Sequence, residues 1–376
     1  MGRFVNPDNR AFQVALNSEI YVDKTGLLNV TNRVLGTKQG YICNSRPRKF
    51  GKSYTANMLA AYYSKGCDSD GMFSRFEIGR SKYYRQHLNQ YNVIQIDVQW
   101  FYSICRNKNK IVSYITESIL EELKSGYPEV ELEEAISLAD GLSRIREKTG
   151  QTFIIIVDEW DILIRDKVTN EKLQKEYLNF LSCLFQGSEP RKYIKLAFLI
   201  GILPIKGIKA LPLLNDFMQY TMLNAGRLAP YIGFTEEEVH QLCEKYGQDF
   251  AEVKRWYDGY ELGNYHVYSP IVIEGVMEHQ EFRNYWSDTG TYKSLIPLIN
   301  MNLDGLKTEI FKMLSGADVE VQTRFFQNDL RSFRNKDEVL TLLIHYGYLA
   351  YNQEKKTAYI PNREIMENME LAVHET

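Results

Sequence analysis

The sequence predicts an α/β fold, a buried parallel sheet with helices on both sides. Three observations carry this. Four apolar runs of strand length occur, Tyr41–Asn44, Val93–Asp97, Phe153–Val157 and Lys195–Ile200. Each is apolar on both faces, as strands inside a parallel sheet are. Helical patterns fill the intervals, so strand and helix alternate.

Taken in order, the first run leads into RPRKFGKSY, residues 46–54. A phosphate-binding loop reads G-x-x-x-x-G-K-[ST] between a strand and a helix. Gly51, Lys52 and Ser53 fit, while Arg46 stands at the first glycine position and Pro47 follows it. A residue before proline is held extended, and proline offers no N–H, so the entrance differs from the usual one. The donors from Lys49 onward survive, with Arg48 and Lys49 adding positive charge. The next segment, KSYTANMLAAYYSK, puts Met58, Leu59 and Tyr62 on one helical side. Backbone N–H groups and the helix dipole favour an anion at such a start. Lys52 would then reach the β- and γ-phosphates, and the Ser53 hydroxyl would ligate Mg²⁺. The bland alternative is an exposed basic turn before a helix.

The run VIQIDV lies between this loop and the next motif in sequence. It suggests the division of nucleotide hydrolases in which an added strand separates the phosphate loop from an acidic strand. Ile111, Ile115, Ile119 and Leu123 then recur every four residues, a helix with one apolar face. In TFIIIVDEWD an apolar strand ends in Asp158 and Glu159. A carboxylate there can hold Mg²⁺, and its neighbour can orient and deprotonate water. The alternative for Asp158 is a helix cap. Leu173, Tyr177, Phe180, Leu181 and Leu184 form a further helical face. The strand IKLAFLIGILPI should neighbour the acidic one. Its end carries Ile200 and Gly201, where related ATPases place a polar residue that senses the γ-phosphate.

Composition bounds the rest. The chain has 376 residues, enough for two or three domains. A formal net charge of −3 excludes a general basic coat for nucleic acid. Five scattered cysteines without metal-ligand spacing suit a reducing cytoplasm. The N-terminus lacks a signal-peptide core, and no apolar run is long enough to span a bilayer, so no membrane role is expected. Beyond residue 206 helical patterns dominate. Near the end, a helix is followed by strands Tyr348–Asn352 and Ala358–Pro361 around a turn at Glu354–Lys356, as in a winged helix. Such units bind DNA in many proteins and are structural in others.

Several ordered motifs resemble the AAA-ATPase-like family of prokaryotic proteins, often joined to a PD-(D/E)xK nuclease-like domain. They are YVDKTGLL (21–28), RPRKFGKS (46–53), IVDEWD (156–161), IGILPIKG (200–207), GFTEEEV (233–239), WYDGY (256–260), NYWSDTG (284–290) and LLIHYGYLAY…YIPNREI (342–365). The resemblance spans nearly the whole chain. It implies a P-loop NTPase fold of three αβα layers with an additional strand, a helical lid and a winged-helix-like region. The expected division is an ATPase core at 1–206, a lid at 207–300 and a winged-helix-like region at 301–376 ending in the start of a joining helix. It implies ATP and Mg²⁺ as cofactors, with residues 46–54 on the nucleotide, Ser53 and Asp158 on the metal, and Lys52 and Glu159 in catalysis. In the family the phosphate loop itself begins with arginine and proline, and threonine is typical where Ile200 stands. The nuclease-like domain has no counterpart here, so the chain is expected to be a fragment or a shortened member, with a nuclease-like module or DNA as partner.

Arg227 and Arg191 are the candidates for an arginine touching the γ-phosphate, with a surface salt bridge as the alternative. Asp23 reads as a helix cap, with the segment around it lying over adenine as a second reading. Asp97 reads as a cap that could instead face the site. Trp256, Tyr257 and Tyr260 read as core, Asp258 as a turn cap, and His240, His266 and His345 as structural. The rival functions are a nucleotide-gated module with little turnover and a DNA-associated winged-helix protein.

Overall fold

A computed structural model describes residues 2–166, 169–205, 216–286, 293, 295–327 and 332–375. Its packing separates two compact units. The first holds the described residues of 2–44, 52–201 and 216–219; the second holds 45–51, 202–205 and those from 220 onward. The described residues from 220 onward, expected to divide into a lid (207–300) and a winged-helix-like region (301–376), fall within this one second unit, while 216–219 belong to the first. Positions 206–207 and 287–290 of the quoted motifs lie outside the described residues.

All four expected strands form: β1 (Tyr41–Ser45), β2 (Asn92–Asp97), β3 (Phe153–Asp158) and β4 (Ile194–Gly201). With β5 (Met218–Tyr220) they make one sheet in the order β2-β3-β4-β1-β5. β2, β3 and β4 run parallel, with Asp97 opposite Asp158 and Asp158 opposite Ile200. The strand that separates the phosphate-loop strand from the acidic one is therefore β4. The segment VIQIDV, expected in that place, is β2 on the far side of β3. Sequence order does not specify spatial order once crossovers are long enough to skip a strand.

β3 is buried along its whole length. Its three consecutive isoleucines are fully covered, each worth about 2 kcal/mol of transfer free energy. β-Branched side chains also suit the pleated interior of a sheet. The helix Lys52–Tyr63 packs on β2, β3 and β4. The helix Ile111–Gly126 buries Ile111, Ile115, Ile119 and Leu123, the expected face. The helix Glu171–Phe185 buries Leu173, Tyr177, Leu181 and Leu184, with Phe180 only half-buried. Its start is fixed by Asn170, whose side chain accepts from the Leu173 N–H.

The second unit holds more strand than expected. β6 (Phe234–Thr235), β7 (Tyr260–Leu262) and β8 (Tyr265–Tyr268) form an antiparallel sheet in the order β6-β8-β7. Thr235 then caps the helix Glu236–Tyr246 through a complete capping box with Glu238. WYDGY ends the helix Phe250–Tyr257 at Asp258 and turns at Gly259, φ +121°. A Cβ on Gly259 would lie 2.1 Å from the Pro361 carbonyl oxygen, so only glycine fits. The helix Lys336–Tyr346 precedes the hairpin β10 (Ala350–Asn352) and β11 (Thr357–Tyr359), and β9 (Val319–Glu320) adds a third strand. The expected joining helix, Arg363–His374, is instead built into this unit. It buries Ile365, Met369 and Ala372.

Candidate functional site

The site in the first unit starts from the tips of the parallel strands. Lys52 and Ser53 open the helix Lys52–Tyr63, and Asp158 ends β3. The Ser53 hydroxyl donates to the Asp158 carboxylate. Lys52 Nζ lies 3.4 Å from Glu159 Oε1, its side chain only 4 % exposed. The structure thus brings together the basic and hydroxyl pair and the acidic pair singled out from the sequence. Glu159 adopts φ +49°, a left-handed backbone that costs a non-glycine residue of order 1 kcal/mol or more. Strain of this kind at a strand tip aims a side chain where a relaxed strand would not.

Two residues that sequence reasoning passed over complete the cluster. Asp161 is fully buried, and the Arg165 guanidinium forms an ion pair with it at 2.9 Å and donates to Glu159. The turn after β3 and the short helix Ile162–Arg165 bring them there. Only tertiary structure shows this, because no motif spaces an arginine six residues after a catalytic carboxylate.

The electrostatics favour a further cation. Asp158, Glu159 and Asp161 act on Lys52, which Arg165 joins as a second cation, and the charge of Asp97 adds to those of Asp158 and Glu159. Burial, then the like charges of Glu159 and Asp97, push the Asp158 carboxyl up to about 6, against the Ser53 hydrogen bond and Lys52. Burial likewise lowers the Lys52 ammonium, while Glu159 opposes that shift. A divalent ion would offset the surplus of negative charge. Hydroxyl and carboxylate oxygens are the donors Mg²⁺ takes, so Ser53 and Asp158 fit it. Asp97 caps the helix Val98–Ile104 by accepting from the Trp100 N–H at 2.9 Å, and its charge still reaches Asp158.

The loop before Lys52 belongs by packing to the second unit. Lys49 and Gly51 both have left-handed backbones, φ +67° and +83°. Alternation of this kind lets successive N–H groups converge on one anion. The Arg46 side chain is fully buried. It donates to the carbonyls of Ser45 at 2.9 Å and Leu228 at 3.4 Å, and its Nε has no partner. Burial lowers its pKa to about 9. This guanidinium is occupied inside the unit and does not offer itself to a ligand, a correction to its expected role. Phe50 packs against Tyr260 and Trp286, and Pro47 lies beneath Gly347. Arg48, Lys49, Ser53 and Tyr54 remain exposed.

Arg227 is exposed and donates to the Tyr220 hydroxyl at 3.0 Å. Arg191 lies over the Tyr41 ring, 4.4 Å from its centre, and pairs with Asp216 at 3.0 Å. Tyr41 begins β1, the end remote from the loop, so Arg191 is a salt-bridge partner and not a phosphate contact. Asp23 does not cap a helix directly. It accepts from Thr25 and from the Glu77 N–H, tying two turns together. Ile200 is fully buried and its carbonyl accepts from the Trp160 N–H.

In the second unit Glu236, Asp258 and His266 bring ligand atoms within 4.8 Å of one another. The Lys254 ammonium already pairs with both carboxylates of that group, 2.6 Å from Glu236 and 3.6 Å from Asp258. Among the described residues no helix is long and apolar enough to cross a membrane.

A family profile described as "Predicted AAA-ATPase" matches residues 12–209. An uncharacterised protein from the 5′ region of vnfD in Azotobacter chroococcum is 25 % identical over 284 residues, 74 % of this chain and 52 % of its own length. The chain thus spans about half the length of that relative. Among solved structures, a Walker-type ATPase of Pyrococcus abyssi is similar at a TM-score of 0.41 and 13 % identity, over 92 % of this chain and 94 % of that one. The ORC2 protein of Aeropyrum pernix, in ADPNP and ADP complexes, is similar at 0.34 and 10 %, over 98 % of each chain.

Proposed function

Since this chain belongs to the predicted AAA-ATPase family, we propose that it binds ATP with Mg²⁺ at the start of the helix Lys52–Tyr63 and the loop leading into it from Lys49, and hydrolyses it as a nucleotide switch. The observation that carries the reading is the meeting of Lys52 and Ser53 with Asp158 and Glu159.

In this mechanism the backbone N–H groups from Lys49 onward and the start of the helix Lys52–Tyr63 hold the phosphates. Lys52 leaves Glu159 for the β- and γ-phosphates, the better-charged partner. Ser53 and Asp158 would hold Mg²⁺, which supplies charge neutralisation on the phosphates when bound. Glu159 orients a water and accepts its proton, a contribution of about 10²–10⁴ in rate for a positioned base.

Calorimetry with ATP and Mg²⁺, paired with phosphate release, tests this. Wild type should bind and release phosphate. Lys52→Ala should bind at least about 100-fold more weakly, because the buried ammonium assigned to the phosphates is gone. Wild-type affinity in that variant would refute the site.

A second reading is a nucleotide-gated module with little turnover. Ile200 favours it, since a fully buried apolar side chain stands level with Asp158 where a sensing hydroxyl is usual. Tight ATP binding without phosphate release would decide for it. A DNA-associated role for a nuclease partner, through the helix Lys336–Tyr346 and its hairpin, predicts salt-dependent DNA binding. Flat titrations remove it.

A further inference from the structure

We propose that Arg165 is a positioning residue that keeps Lys52 available to phosphate by holding the Glu159 carboxylate on its own guanidinium. This rests on the nucleotide reading above and assigns a device within it.

The geometry is a short chain of charge in the first unit. Lys52 Nζ stands 3.4 Å from Glu159 Oε1. Glu159 Oε2 is bonded by Arg165, whose Nε lies 2.9 Å from Asp161 Oδ2. The side chains of Lys52 and Arg165 are only 4 % and 8 % exposed, and that of Asp161 is fully buried. Water therefore screens these charges weakly. Glu159 has two cations to satisfy it, one on each oxygen. Remove Arg165, and the carboxylate depends on Lys52 alone. The ammonium is then held in a tighter pair and its partner's charge repels an incoming triphosphate. Arg165 is suited to this division. Its planar fork reaches two carboxylates at once, and it stays charged when buried. Asp161 anchors the fork, so the guanidinium cannot follow Glu159 into the nucleotide space.

The test measures affinity, and so does not depend on turnover. A non-hydrolysable ATP analogue with Mg²⁺ is titrated into wild type, Arg165→Gln, Arg165→Lys, Glu159→Gln and the Arg165→Gln/Glu159→Gln pair. Arg165→Gln should bind about tenfold or more weakly. Arg165→Lys should recover most of that loss. The paired variant should bind as tightly as Glu159→Gln, because a neutral side chain no longer competes for Lys52. Loss that persists in the paired variant would mean that Arg165 only supports the fold, and would overturn the proposal. So would unchanged affinity in Arg165→Gln. Should Arg165→Gln not fold, Arg165→Gln/Asp161→Asn removes the orphaned buried charge, and it should show the same tenfold loss and the same recovery on adding Glu159→Gln. Wild type that fails to bind the analogue sinks the nucleotide reading itself, an outcome separable from a wild type that binds and a variant that does not differ.

Discussion

The tips of β3 and β4 lie side by side, Asp158 opposite Ile200, and carry opposite chemistry. One ends in two acids that meet a lysine, a serine and an arginine. The other ends in isoleucine and glycine. The difference follows from what packs above each. The Trp160 indole is fully buried, and its N–H and the Asp161 carboxylate crowd Gly201, where a Cβ would lie 2.6 Å from either. The residues directly after Glu159 thus fold back over the end of β4 and cover it. Charge at this edge of the sheet is gathered on β3 because its neighbour's tip is covered.

The largest expected effect strikes the charged tip. Glu159→Gln should lower kcat about 10²–10³-fold while ATP still binds, the pattern for loss of a general base. Normal phosphate release from that variant would remove the assigned base. Next comes the proton competition at Asp158. Its folded pKa, about 6, lies above the ordinary value near 4. Its ionisation therefore costs stability that grows as pH rises from about 4 to 6 and is constant above. A bound cation takes up that charge, so Mg²⁺ affinity should rise up to about tenfold per pH unit below 6 and level off beyond it. Calorimetric Mg²⁺ titrations across that range check this, and a flat response would take the metal away from Asp158.

Two smaller effects probe the covered tip. Gly201→Ala should destabilise the protein by about 1–3 kcal/mol, read as a lowered melting temperature, because the indole and the carboxylate must both give way. Ile200→Thr should cost about 1 kcal/mol for a buried hydroxyl and change phosphate release by no more than a few-fold. A large gain in turnover would mean that β4 senses the γ-phosphate after all, and would erase the contrast.

Much of this arrangement was legible in the sequence. The four buried strands could be read from their length and two-sided apolarity, and Lys52, Ser53, Asp158 and Glu159 from motif chemistry. What escaped has physical reasons. The order of strands depends on long crossovers that no local pattern records. Strands β6 to β8 have two to four residues, too few for a period to emerge. Arg165 and Asp161 acquire meaning only when a turn returns them to Glu159. Arg46 stood among the loop residues that the family resemblance puts on the nucleotide, and burial showed the opposite. The helix Arg363–His374 carried its apolar stripe, Ile365, Met369 and Ala372, in plain view. Its position at the end of the chain obscured it.

Arg46 has one more implication. A guanidinium sealed in the interior on two main-chain oxygens works as a bolt through the loop's entrance, and its size is part of the architecture. Replacing it with the glycine that ordinary phosphate loops carry would restore a familiar motif and hollow out the very wall against which the loop is braced.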